Sequence, residues 1–136
     1  MTFYRDRLAA GCRIRILLLN PDSPAQALFV TAKASPSTPA ALTRLSLQHL
    51  SELADAVAKG RLQVRLTDMF PPYSLFSVDP DTKHGTAVVE FQNSQAAMDS
   101  RPHVVLRKPQ DSGWVDYYAA EFELNWARAK RWVPES

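Results

Sequence analysis

The sequence predicts an α/β protein, a layered sandwich on a mixed sheet of about five strands. Three observations lead there. "RIRILLLNP" runs from alternation into a wholly apolar stretch and stops at Asn20-Pro21. Leu42, Leu45, His49, Leu50, Leu53 and Val57 recur at close to helical spacing. Short alternating segments then follow one another between polar turns, which is strand patterning.

Taken in order, residues 3–10 read as a helix closed by Gly11, since glycine just past the last turn is the usual stop. A chain opening on a helix end suggests either a short first helix or a domain cut from a longer protein. Residues 13–19 form the first strand, entering at a solvated edge and ending in a buried sheet centre. Asp22 or Ser23 can cap a short helix over 24–33 with Pro24 in its first turn. "SPSTP" (35–39) is loop by composition, and Thr38 before Pro39 repeats the cap signal. Ala40 to Lys59 is a helix stopped by Gly60. "LQVRLTD" alternates strictly, with Leu62, Val64 and Leu66 on one side. "YSLFSVD" (73–79) and "TAVVEFQ" (86–92) make a hairpin across "PDTKHG", and "HVVLRK" (103–108) is a last strand. From 114 to 133, Tyr118, Phe122, Trp126, Ala129 and Val133 form one apolar helical stripe with Trp114 and Trp132 at its ends. The aromatics read as core anchors of a helix laid across the sheet.

Composition narrows the function. The chain has 136 residues, enough for a single domain (1–136) with a real core. A net charge of +2, with the basic residues scattered along the chain, argues against nucleic acid as partner. The single cysteine, Cys12, excludes an internal disulfide and fits a reducing, cytoplasmic setting; a buried or edge structural role suits it. No apolar run is long enough for a membrane span, and no secretion signal follows Arg5 and Arg7. GxGxxG, Walker A, GxSxG and CxxC patterns are all absent from the sequence.

Two groups of residues could carry chemistry. Asn20, Asp22 and Ser23 follow the first strand, where open α/β sheets tend to bind ligands; Asp68 shares that edge if its strand runs parallel. Asp22 disfavours a phosphate at that helix start, and the turn is equally a strand stop and cap. The second group is Asp79, Asp81, Lys83, His84 and Glu90, within reach of acid–base work but also composed like a hairpin turn. No second histidine lies at metal-ligand spacing, so no metal and no cofactor is expected. His49 and His103 read as structural.

"LAAGCRIRILLLNPDSP", "LQVRLTDMFPPYSLFSVD" followed by "GTAVVEF", and "WVDYYAAEFELNWARAKRW" resemble successive segments of phospholipase D-like domains, of a bacterial group of unknown function. The resemblance runs from Leu8 to Trp132. It implies a phospholipase D-like sheet and a place at the C-terminal end of modular regulatory proteins. The family's catalytic signature is His-x-Lys-x-x-x-x-Asp, with the histidine as nucleophile and the lysine holding phosphate oxygens. Only His84 aligns. Thr86 stands in the lysine's place, Phe91 in the aspartate's, and Glu90 is one position short, on the other strand face. Asn93-Ser94 is a remnant of the later Ser/Asn element. The resemblance therefore implies a noncatalytic ligand-sensing, regulatory or oligomerisation domain. The polar residues at the strand ends place its site for a small ligand or a partner domain in a crevice near Asn20, Asp22, Asp68 and His84, with Ser23 among the binding residues. The alternative is a phosphodiesterase-type hydrolase, a homodimer in which two His84 side chains meet, aided by Lys83 or Glu90. A third reading is protein interaction through Arg128, Lys130, Arg131 and Trp132, which are otherwise a solvated helix end.

Overall fold

The computed structural model describes residues 2–24, 39–57, 61–69, 71–91 and 101–133. The helix expected over 24–33 (Pro24 apart), the loop at 35–38 with Thr38, the Gly60 stop and Asn93-Ser94 lie outside them. The chain divides into two compact units, residues 1–70 with 128–136, and residues 71–127.

The first unit holds α1 (Thr2–Ala9), β1 (Ile14–Leu19), α2 (Pro39–Val57), β2 (Leu62–Thr67) and β6 (Lys130–Arg131). α1 ends as its sequence predicts. Gly11 has φ of 96°, and the N–H groups of Gly11 and Cys12 donate to the carbonyls of Leu8 and Arg7. This is the paired bonding of a Schellman stop, which a glycine permits. Cys12 is exposed there, so the buried setting considered for it does not hold.

β1 and β2 pair in parallel, from Ile14 opposite Leu62 to Leu19 opposite Thr67. Ile16, Leu18, Leu62 and Leu66 pack against buried Leu47 and Leu50 of α2 and Val64 of β2, with Trp132 added from the chain's far end. A second cluster joins buried Leu8 and Leu53, with Tyr4, Ile14 and Leu62 around them. Each strand's even-numbered residues thus face α2, as the alternation requires.

The second unit holds β3 (Tyr73–Val78), β4 (Thr86–Phe91), β5 (His103–Arg107) and α3 (Ser112–Arg128), whose last residue already belongs to the first unit. The three strands form an antiparallel meander in the order β3-β4-β5. Ala87, Val89 and Val115 are fully buried. Tyr118 of α3 meets Tyr73 of β3 edge-to-face, ring centres 5.1 Å apart.

The expected five-stranded mixed sheet, and with it the phospholipase D-like layered sandwich, is corrected to two three-stranded sheets among the described residues, β1-β2-β6 and β3-β4-β5. The reason lies in β2. Its edges are occupied by β1 on one side and by β6 on the other, with Arg65 opposite Arg131 and Leu66 opposite Lys130. No edge of β2 is left for the meander. Pro71 and Pro72, which lack ladder N–H groups, interrupt the chain between β2 and β3. β1, expected to run into a sheet centre, lies at an edge among the described strands. The C-terminal helix is also shorter than expected: it ends at Arg128, and Lys130–Arg131 is strand. The aromatic stripe therefore stops at Trp126. Trp132 is a core contact of the first unit, and Val133 is exposed.

Leu8 is the buried residue of α1 and holds this weakly amphipathic helix to the rest. Leu8→Ala should cost about 2–5 kcal/mol, read as a shift in urea midpoint, whereas Leu45→Ala, at an exposed site on α2, should cost under about 0.5 kcal/mol.

Candidate functional site

Because β1 and β2 are parallel, both deliver their C-terminal ends to one place. Asn20 follows β1 and Asp68 follows β2, and the Asn20 N–H extends the ladder to the Thr67 carbonyl at 2.8 Å. The two side chains meet: Asn20 Nδ2 donates to Asp68 Oδ1 at 3.3 Å. Asn20 Oδ1 in turn accepts the Asp22 N–H at 3.0 Å, a local turn that asparagine forms readily. Ser23 is buried, its N–H bonded to the Asn20 carbonyl and its hydroxyl directed to the Asp68 carbonyl at 3.5 Å. Asn20, Asp22, Ser23 and Asp68 therefore form one cluster.

Asp22 does not stand alone at the rim. Arg44 Nη2 of α2 lies 2.8 Å from its Oδ1, both side chains largely exposed. An ion pair so hydrated contributes little stability, but it places a guanidinium on the Asp22 carboxylate. Asp22 and Asp68 each engage Oδ1; their Oδ2 atoms accept no hydrogen bond among the described residues. Sequence reasoning missed Arg44. It is one more polar residue on an amphipathic helix, and no local pattern ties it to a turn 22 residues earlier.

The second group of expected residues, including the His84 expected beside Asn20, Asp22 and Asp68, lies in the other unit. Asp79 to Gly85 close the β3–β4 hairpin. Asp79 adopts φ of 46°, and its carbonyl accepts both the N–H and the hydroxyl of Thr82. A Cβ on Gly85 would come within 3.0 Å of the Asp79 carbonyl oxygen and of Pro80 backbone atoms, so the turn requires a residue without one. His84 sits exposed in this turn; its N–H donates to Thr82 Oγ1 and its carbonyl accepts from Thr86 Oγ1. Asp81 and Lys83 are exposed beside it. Glu90 is engaged by Arg101 at 3.5 Å. His49 and His103 are exposed on α2 and β5. No group of three or more His, Cys, Asp or Glu side chains among the described residues could hold a metal.

The second unit has one more feature that its sequence did not announce. Phe91, Val104, Leu106, Trp114 and Tyr118 line an apolar groove of about 230 Å³. Trp114, expected as a core anchor, is 59% exposed over it. Next to it, burial pushes the Tyr73 hydroxyl above the ordinary tyrosine value, with the charge of Glu121 and the hydroxyls of Tyr118 and Tyr117 adding to the effect.

The fold and the cluster define a small α/β chain with a group of polar side chains at the carboxyl ends of two parallel strands. Residues 5–133 match the model of a family described as a domain of unknown function, DUF5919, and the chain belongs to that family. No curated protein and no solved structure matches it significantly. No helix among the described residues is long and apolar enough to cross a membrane.

Two outcomes test this geometry. Asn20→Asp would set a second carboxylate against Asp68 in place of a donor. It should lower stability by about 1 kcal/mol at neutral pH. The new pair disfavours double ionisation in the folded state, so the loss should shrink as pH falls through the carboxylate range, as denaturation at neutral and acid pH would show. For Tyr73 the sign is opposite in pH. Below about pH 10 both states keep the proton; above it the unfolded chain releases its proton first, so stability falls as pH rises towards the raised native value. Tyr73→Phe should flatten that alkaline decline in unfolding curves recorded between about pH 9 and 11.

Proposed function

We propose that the chain is a noncatalytic, ligand-sensing module of a larger bacterial regulatory protein, of phospholipase D-like descent, binding a small amine- or hydroxyl-bearing molecule at Asn20, Asp22, Ser23 and Asp68. The kinship rests on the three sequence segments that resemble those domains. The reading of the site rests on one observation: Asn20 and Asp68 meet at the carboxyl ends of β1 and β2, the place where open α/β sheets present ligand sites.

The chemistry of the crevice supports the ligand class. A carboxylate has acceptor sites for several donors, and among the described residues nothing donates to the Oδ2 atoms of Asp22 and Asp68. Two neighbouring carboxylates favour an ammonium or hydroxyl donor and disfavour phosphate. Arg44, held on Asp22, offers a counter-charge to an acidic group on the same ligand. Against catalysis stand Thr86 and Phe91, both on β4, where the phospholipase D-like signature has lysine and aspartate. Without the lysine, charge developing on a phosphoryl group lacks its stabilising cation.

A thermal-shift screen of ethanolamine, putrescine, lysine and glycerol tests the reading. A binder present at about one hundred times its Kd should stabilise by about 2.7 kcal/mol, and Asp68→Asn or Asn20→Ala should abolish the shift. Turnover of bis(p-nitrophenyl) phosphate that disappears in His84→Ala would sink the noncatalytic assignment. Stabilisation that persists in both crevice variants would move the site elsewhere.

A further inference from the structure

β5 lies at the edge of the second sheet, with β4 on one side and no strand on the other among the described residues. The phase of the ladder decides which main-chain groups that edge presents. The Phe91 N–H donates to the Pro102 carbonyl, and the Lys108 N–H to the Gly85 carbonyl. In antiparallel pairing the bonded pairs recur at every second residue. Val104 and Leu106 therefore turn their N–H and carbonyl groups to β4, and His103, Val105 and Arg107 turn theirs outward. Asp111 closes the last of these. Its Oδ2 accepts the Arg107 N–H at 3.0 Å, and its own N–H donates to the Arg107 carbonyl at 2.8 Å. The outward groups of His103 and Val105 have no partner among the described residues. Native edge strands are commonly guarded by a lysine, a proline or a bulge. Here Pro102 and Pro109 stand outside the strand, and its five residues include no lysine, proline or acid. Val104 and Val105 are both exposed.

We propose that this edge pairs antiparallel with the same edge of a second copy, about a two-fold axis at Val104, so that two three-stranded meanders become one continuous sheet. His103 of each copy then exchanges both main-chain bonds with Val105 of the other, and the groups that Asp111 leaves open are satisfied. A longer foreign strand would have to run on past Arg107, where Asp111 has closed the edge. A second copy centred on Val104 stops short of it. The side chains agree with this register. The two Val104 residues form a non-bonded pair at the axis, with Cα atoms about 4.5 Å apart. Val104 lines the apolar groove with Phe91, Leu106, Trp114 and Tyr118, so the grooves of the two copies adjoin at the axis and exposed Trp114 borders that shared apolar surface. Charge is complementary at the ends. The register sets Arg107 of one copy beside Arg101 of the other, and Arg101 brings the half-buried Glu90 carboxylate, 3.5 Å away, as an acid for both guanidinium groups. The pairing uses the second unit alone and puts Val104, not His84, on the axis, so it stands or falls apart from the ligand reading.

Sedimentation equilibrium of the full chain over a concentration series reads the association, and a dimer with micromolar Kd is expected, as for a small interface. Val105→Pro removes the outward N–H, and an edge strand tolerates proline on that side. It should raise Kd by about tenfold or more, since each copy loses a bond. Circular dichroism verifies folding. Val105→Lys leaves the main chain intact and charges the edge, so it should act in the same direction even where the proline variant unfolds. Cross-linking reads the register in a Cys12→Ser background, Cys12 being the sole cysteine and exposed. A Cα separation of about 4.5 Å lies within disulfide range. Val104→Cys should therefore give a disulfide-linked dimer on mild oxidation, whereas Val78→Cys, exposed on β3, should not. A chain that stays monomeric at about 1 mM overturns the proposal. So does a dimer whose Kd neither Val105 variant changes, and so does oxidation that links Val78→Cys as readily as Val104→Cys. Capture of an extended peptide by a chain that remains monomeric overturns it too, and would give the edge to a foreign strand.

Discussion

β2 is a six-residue strand with two edges, and both are taken by segments distant in sequence. β1 reaches it after a connection containing α2, as parallel pairing requires. β6 reaches it only after the whole meander and α3 have intervened. The Trp132 N–H continues that second pairing to the Val64 carbonyl at 3.0 Å, and the indole joins the cluster under α2. Much of what distinguishes this chain follows from the arrangement: the separation into two sheets and the position of the Asn20–Asp68 cluster both depend on which residues β2 sets beside its own.

Local elements were largely legible in the sequence because their signals are local. Gly11 stops α1, alternation marks β2, and the composition of residues 80–85 marks the turn between β3 and β4. The assembly was less legible. Nothing in "LQVRLTD" states that its second edge will be claimed by a dipeptide more than sixty positions later. "ARAKRWV" continues the helical spacing of Trp126 closely enough to be read as helix, yet Lys130/Trp132 and Arg131/Val133 also alternate as a strand does. Tertiary pairing decided between two periods that a seven-residue window cannot separate.

The same distinction applies to the site. Asn20 and Asp68 could be placed together from the sequence only on the condition of parallel strands, and the register of β1 with β2 meets that condition. Arg44 could not be foreseen, because a helix and a turn were joined by tertiary geometry alone. His84 was the most conspicuous residue of the linear reading, being a histidine among carboxylates. Its main-chain bonds within a tight hairpin account for that neighbourhood without invoking chemistry. The net charge of +2 is the remainder of two halves of opposite charge.

The late closure of β2 has a consequence for synthesis on the ribosome. Domains generally form as the chain emerges, N-terminal segments first. Here the N-terminal unit has every long element by Thr67 and still lacks a strand. Until residues 130–132 leave the exit tunnel, one edge of β2 stays unpaired, a strand edge of the kind that invites illicit pairing. The nascent chain must carry that open edge through the production of the entire second unit, for several seconds at ordinary elongation rates of about 5–20 residues per second.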